Sequence, residues 1–481
     1  MRLTSPRFLT AALLPPVVVA GLFLGAGSAA ANVPLTPISA DPFTDAQAQH
    51  RTEVEPDTFA FGSTIVSAFQ VGRVFGGGAS NIGFATSNNG GRTWTHGFLP
   101  ATTGNSGGPC GQISDAAVAF DLRHHVWLIS SLGVTCPGTP VFTSRSTDGG
   151  HTWSAPITTA TGSNDKNWIV CDNSIFSRFF GNCYTEYDIT SARDAIRMST
   201  SADGGLTWGP AQAPTDNATG LGGQPLVQFN GTVVVPYRSL NGQIRSFSSA
   251  DGGTSWAASV LVSAVSHHPV AGGLRSGSFL PSAETDLFGK IYLVWSDCRF
   301  RMGCPSNDIV LSTSTDATTW TAPARVPIDA TTGTADHFVP GLGVDPVSFG
   351  NHTRIGLAYY FYPAADCTAA TCQLGAGFIS SVNGGKTWST ATQVAGPMSL
   401  TWLPNTSQGR MFGDYISTSI RPFGDAVPVY PIAHAPTGST FDVTMTVPAR
   451  GLPVTGGHVT SSDTSPAEFA SSGAATALTA F

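Results

Sequence analysis

A short segment recurs six times along the 481-residue chain, and such a repeat limits the possible folds before any single residue does. It reads Ser87-Asn88-Asn89-Gly90-Gly91-Arg92-Thr93-Trp94 at its first occurrence and Ser146-Thr147-Asp148-Gly149-Gly150-His151-Thr152-Trp153 at its second. It returns at 201–208, 249–256, 314–320 and 381–388. Five copies fit Ser-x-Asp/Asn-Gly-Gly-x-Thr/Ser-Trp; the copy at 314–320 is one residue short and lacks the glycines. Successive tryptophans lie 59, 55, 48, 64 and 68 residues apart, a spacing that suits a four-stranded sheet with variable loops better than a helical repeat. Within each copy the Ser and Asp or Asn side chains bond nearby backbone N–H groups. The glycine pair supplies positive φ, and the indole packs between neighbouring sheets. These are fold residues, since an aspartate engaged in a turn is not free for chemistry.

Composition agrees. Only 11% of residues are charged, against about 25% in ordinary soluble domains, while 55 Gly and 33 Pro force frequent turns. Many short strands of an all-β chain fit these numbers. Between the boxes, pairs of strand-like runs recur at 58–70, 116–130, 168–187, 225–237, 279–295 and 339–360, and a seventh set follows the last box at 415–447 without a box of its own.

The motif resembles the Asp-box, or BNR repeat, of sialidases and related secreted β-propellers. The resemblance covers nearly all of residues 32–450. It implies an all-β propeller of four-stranded blades, with the boxes as turns between the third and fourth strands. Seven blades are expected and six are the alternative, six being the number in the sialidases. Residues 32–39 read like the strands that follow the boxes, so they are expected to complete the seventh blade and close the ring.

Residues 1–31 carry the three parts of a signal peptide: Arg2 and Arg7, an apolar run from Phe8 to Leu24, and Ala29-Ala30-Ala31. A retained anchor is the alternative, but Pro15 and Pro16 interrupt the run. A secreted, extracellular protein is the expectation, with no membrane span after residue 31. The eight cysteines fall as sequence neighbours, which an oxidising compartment would join as Cys110–Cys136, Cys171–Cys183, Cys298–Cys304 and Cys367–Cys372. No C-x-x-C pair points to zinc. Net charge is −7 with no basic run, which argues against nucleic acid as a partner. Residues 451–481, rich in Ser, Thr, Ala and Gly, read as a disordered tail. Its Leu452-Pro453-Val454-Thr455-Gly456 matches a sorting motif but lacks the apolar and basic segments that should follow it.

In an up-and-down blade the innermost strands begin on the face that also carries the loops between the second and third strands. Residues at or before those starts are rich in acids: Glu55, Asp57, Asp115, Asp165, Asp336 and Asp414, with Gln224 and Arg275 in the other two units. Carboxylates converging on an axis raise one another's pKa, giving a protonated acid beside an ionised base, as glycoside hydrolysis requires. Capping of strand ends, or a ring holding Ca²⁺, is the alternative use. No cofactor and no metal is expected, a structural Ca²⁺ being the one variation considered. The sialidase resemblance implies three arginines around a substrate carboxylate and a Tyr nucleophile paired with Glu. Tyr187 and Glu186 are the candidates for that pair. Arg73, Arg238, Arg275, Arg299 and Arg410 are the arginines this face presents. Lys166, Trp168, His337 and Tyr415 complete a sugar subsite of charged and aromatic groups. The F/Y-R-I-P segment that supplies the first sialidase arginine is absent, Glu55-Pro56-Asp57-Thr58-Phe59 standing in its place. The leading expectation is a sialidase-like glycoside hydrolase, exo-α-sialidase being the best single guess, with an extracellular glycan or glycoconjugate as partner and a monomeric state. The alternative is a non-catalytic propeller that binds glycan or protein with the same face.

Overall fold

The structure, a computed structural model, describes Met1 and residues 33–275, 279–457 and 459–460. Residues 2–32, where the signal peptide is expected, and residues 276–278, 458 and 461–481 lie outside the described residues.

Antiparallel sheets are arranged as a β-propeller, and no α-helix occurs among the described residues. Five sheets of three to five strands stand as separate blades. One is built on Asn164–Cys171, Cys183–Ile189 and Ala195–Ser201; others are centred on Val233–Ser239, Ile291–Asp297, Ile355–Tyr362 and Ala426–Thr437. A further, eight-stranded sheet spans Glu53–Phe61 to Ile157–Ala160. Here the structure departs from seven or six separate blades. Strand Ala79–Ser87 pairs at its first residue with Ile113, and this one pair fuses two successive four-strand units. The fusion has a local cause: Gly78, at φ 64°, lets the chain pass so close to Gln112 and Ile113 that a Cβ there would stand 3.0 Å from Gln112 Cβ.

Closure follows the expected route. Leu35, Thr36 and Pro37 pair with Pro448, Val447 and Thr446, so the start of the described chain forms the outer strand of the last sheet. Residues 451–457, expected to be disordered, are packed. Leu452 exchanges backbone hydrogen bonds with Ala426, and Val454 joins the same apolar core, because both side chains find apolar surface beside the last blade. The Leu452–Gly456 motif is therefore part of the fold.

The boxes behave as their chemistry requires. Ser146 Oγ accepts from Gly150 N at 2.9 Å, Asp148 Oδ1 accepts from the N–H groups of His151 and Thr152, and Gly149 and Gly150 both have φ above 80°. In the glycine-less copy Ala317 takes φ 63°. The Trp388 indole is buried and donates to Gly385 O at 3.0 Å, tying the ring to its own turn. All four expected disulfides form. Among the described residues no helix is long and apolar enough to cross a membrane.

Candidate functional site

The axis-facing strands share a distortion. Those beginning at Glu53, Gln112, Asn164 and Asp336 each slip register by a β-bulge after Val54, Ser114, Asp165 and Phe338. The bulge residues Glu55, Asp115, Lys166 and Val339 adopt φ of 60°, 47°, 48° and 48°, the left-handed region that non-glycine residues avoid. Strain repeated at one level around an axis, on three charged residues of four, is the kind found where side chains are being aimed.

Those side chains meet. Lys166 Nζ lies 2.7 Å from Asp414 Oδ2, 3.7 Å from Glu55 Oε1 and 3.8 Å from Asp115 Oδ1. Arg275 Nη2 reaches Asp414 Oδ2 at 3.0 Å. Asp414 N donates to Glu55 Oε1 at 2.9 Å, and Gln70 donates to the other Glu55 oxygen and, at 3.1 Å, to Ser114 Oγ. Arg73, buried behind them, donates to Gln70 Oε1 at 2.7 Å and to Gly78 O. Asp165 accepts from Lys166 N and is partly exposed.

The arrangement separates the acids. Burial alone would raise Asp414, but Lys166 and Arg275 hold it down to about 2. Burial lifts Glu55 to about 7 although Lys166 pulls against it, and burial with repulsion from Asp115 lifts Asp165 to about 6. In mildly acid solution an ionised carboxylate thus stands beside groups that hold protons, the pairing of acid and base that hydrolysis of an acetal needs. Beneath the cluster the Trp168 and Tyr415 rings meet edge to face at 4.9 Å and close the axis.

Asp115, Asp165, Lys166, Arg275 and Asp414 therefore gather as expected, with Trp168 and Tyr415 below them. Other candidates do not join. Tyr187 and Glu186 are neighbours on one strand and so face opposite sides: Tyr187 packs on Leu132 and Val141 with its hydroxyl on Ser199, while Glu186 is buried against Gly223 with neither carboxylate oxygen hydrogen-bonded. No Tyr/Glu pair forms between them. Arg299 is held by Asp297 and Ser263, Arg410 by Leu403 O, and Arg238 lies over the Phe279 ring at 4.8 Å. His337 is buried against Tyr359 and Phe361. Asp336 caps Asn307 N at 2.7 Å. Asp57 accepts from Val118 N at 2.7 Å and belongs to the other half of the axis. Gln70 is not among the residues expected from sequence; its signal there is a lone amide in the buried strand Thr64–Arg73, beside Ser67 and Arg73. Asp308, Asp329 and His337 bring three possible metal-ligand atoms within 4.8 Å of one another, but Arg301 and Arg325 pair with both aspartates and occupy the place of a cation.

Residues 63–279 match the family model described as a BNR repeat-like domain. No curated protein matches this chain. Among solved structures, an ulvan lyase of polysaccharide lyase family PL25 is 11% identical, with 87% of this chain and 97% of that one covered and a TM-score of 0.51; this similarity supports the propeller fold alone. A protein of unknown function from Dyadobacter fermentans is 18% identical (73% and 99% covered, TM-score 0.45). The intramolecular trans-sialidase from Ruminococcus gnavus is 14% identical (87% and 99% covered, TM-score 0.43).

Proposed function

We propose that this BNR propeller is a secreted protein that acts on extracellular glycans, and that the cluster around Lys166 is its active site. The observation that carries this is the pair of unlike carboxyl groups on one lysine: Asp414, ionised, in contact with Lys166 Nζ, and Asp165, protonated in mildly acid solution, on the residue before it. In this reading Asp165 donates a proton to the leaving oxygen. Asp414 stabilises positive charge at the anomeric carbon or activates water, and Arg275 and Lys166 bind sugar oxygens.

The narrower reading, an exo-α-sialidase, rests on the resemblance of the repeat. Against it stand the opposed directions of Tyr187 and Glu186 and the engagement of Arg238, Arg299 and Arg410 elsewhere. We therefore favour a glycosidic bond other than a sialoside. A non-catalytic glycan-binding role is favoured by one observation, the near-complete burial of Glu55 and Asp414.

A panel of fluorogenic aryl glycosides, sialoside included, offered to the chain from Asn32 onward separates these readings. Turnover should appear on a non-sialoside and fall at least about 100-fold in Asp165→Asn and in Asp414→Asn. Activity should decline as pH rises through about 6, where Asp165 loses its proton. Turnover of the sialoside alone would restore the sialidase, and binding without turnover would leave the module. Activity unchanged in both variants would remove the site.

A further inference from the structure

A sizeable cavity lies away from the charged cluster. It is a cup of about 650 Å³ at the opposite end of the axis, below the Trp168 and Tyr415 rings, and it opens on the face of the Asp-boxes. Its wall is mostly apolar, with Val118, Ile169, Leu226 and Val344 deep inside. Aromatic side chains stand at the mouth. Phe176 is 72% exposed and Phe61 38%, although Phe176 touches Phe229 at 4.9 Å and Phe61 stacks on Phe120 at 4.4 Å. Exposed phenylalanines gathered at the rim of a concave apolar site are a mark of ligand contact, since isolated folding gains nothing from leaving them in water.

The charges in the wall have one sign. Asp57, Glu284 and Asp286 line the cup, and no Lys, Arg or His does. Asp286 is committed to the fold, accepting from the Lys290 and Phe288 N–H groups and from Thr353 Oγ1. Glu284 is different. It is partly open to the cavity, and no described residue donates a hydrogen bond to its carboxyl group. Asp57, its electrostatic neighbour, has one oxygen on Val118 N.

We propose that this cup is a binding site for an organic cation, an ammonium group on an apolar or aromatic body, with the ammonium held by Glu284 and Asp57 and the body between the phenylalanines of the rim. Wall and sign select this class: most of the wall suits an apolar body, and an anion would meet three acids. Aromatic faces at the mouth attract a cation on its way in as well as an apolar body. Burial lifts the Glu284 carboxyl to about 8 and that of Asp57 to about 7, so in the empty cup neither is comfortably ionised, and an arriving ammonium would supply the missing counter-charge. The site is independent of the glycan-acting cluster and shares no charged residue with it.

The test is equilibrium binding of 4-phenylbutylamine and of its neutral isostere 4-phenylbutanol to the secreted chain, read by calorimetry and by the fluorescence of Trp168, which lines the cup. The amine should bind saturably and at least tenfold more tightly than the alcohol. Glu284→Gln should remove that preference while leaving the alcohol bound and glycoside turnover unchanged; Phe176→Ser, at the exposed rim, should weaken both ligands. Asp414→Asn should leave amine binding intact, so that failure of the glycan reading and failure of this one are distinguishable. Equal affinity for amine and alcohol, no saturable binding of either, or full amine affinity in a folded Glu284→Gln variant would overturn the proposal.

Discussion

Lys166 is a single cation serving three carboxyl groups, and its removal exposes how the cluster is held. Without it Glu55, Asp115 and Asp414 would share a buried space with Arg275 and, behind Gln70, Arg73 left to balance them. Breaking one partner out of a buried charge network costs about 3–5 kcal/mol. Lys166→Ala should therefore unfold in urea with a loss of that order at pH 7.5 and a smaller loss at pH 5, where Glu55 and Asp165 hold protons. An equal loss at both pH values would mean that the acids are not coupled through the lysine. The members of this cluster were legible because each stands at the start of an inner strand. The direction of a side chain within a strand was less so. Tyr187 and Glu186 looked like a pair as neighbours in sequence, yet the two-residue period of a strand separates adjacent residues onto opposite faces. The arginines misled for another reason: Asp297, which fixes Arg299, lies only two residues away, and local pairing outweighed the open face.

At the scale of elements, the disulfides differ in the length of chain they close. Cys110–Cys136 spans 26 residues and Cys367–Cys372 spans 5. Loop-closure entropy assigns about 3.5 kcal/mol to the first and about 2 kcal/mol to the second. Replacing each pair by alanines should destabilise in that order in denaturant titrations; the reverse order would show that packing around Cys367 and Cys372 matters more than chain entropy. The boxes and strand pairs could be read directly from the repeat, because every box residue has a local turn function. The bulges could not. Glu55 and Lys166 have no intrinsic preference for the left-handed region and Asp115 only a modest one, so the bulges are set by tertiary context rather than by local sequence. Nor could composition foresee that 451–457 would pack, since Leu452 and Val454 alone provide the apolar contact.

For the whole molecule, stability should depend on pH in an unusual direction. Burial raises Glu53 and Asp57 to about 7 and Asp188 to about 8. Between the unfolded values near ~4 and these folded values, the native state keeps protons that the unfolded chain has released, so stability falls as pH rises from about 5 to 8. In the box residues Asp203 and Asp251 burial pushes upward, but the turn hydrogen bonds together outweigh it and hold both carboxyls below their usual range, so they act in the other direction and their contribution is lost as pH falls through that range. His337, lowered by burial, opposes the trend with one group. Melting temperature should thus be higher at pH 5 than at pH 8, and the opposite order would mean that water reaches the buried acids. Ring closure was legible from the likeness of residues 32–39 to the strands after the boxes, whereas fusion of the first two units through Ala79 and Ile113 depends on one close approach that no periodicity encodes. The central claim, that glycans are handled at the axis, is tested most directly by a crystal structure of the chain from Asn32 onward soaked with an oligosaccharide from whichever class it binds in a glycan array. The account predicts a sugar ring in contact with Lys166, Arg275 and Asp414; a sugar seated on the outer blades or in the apolar cup, with the cluster untouched, would contradict it.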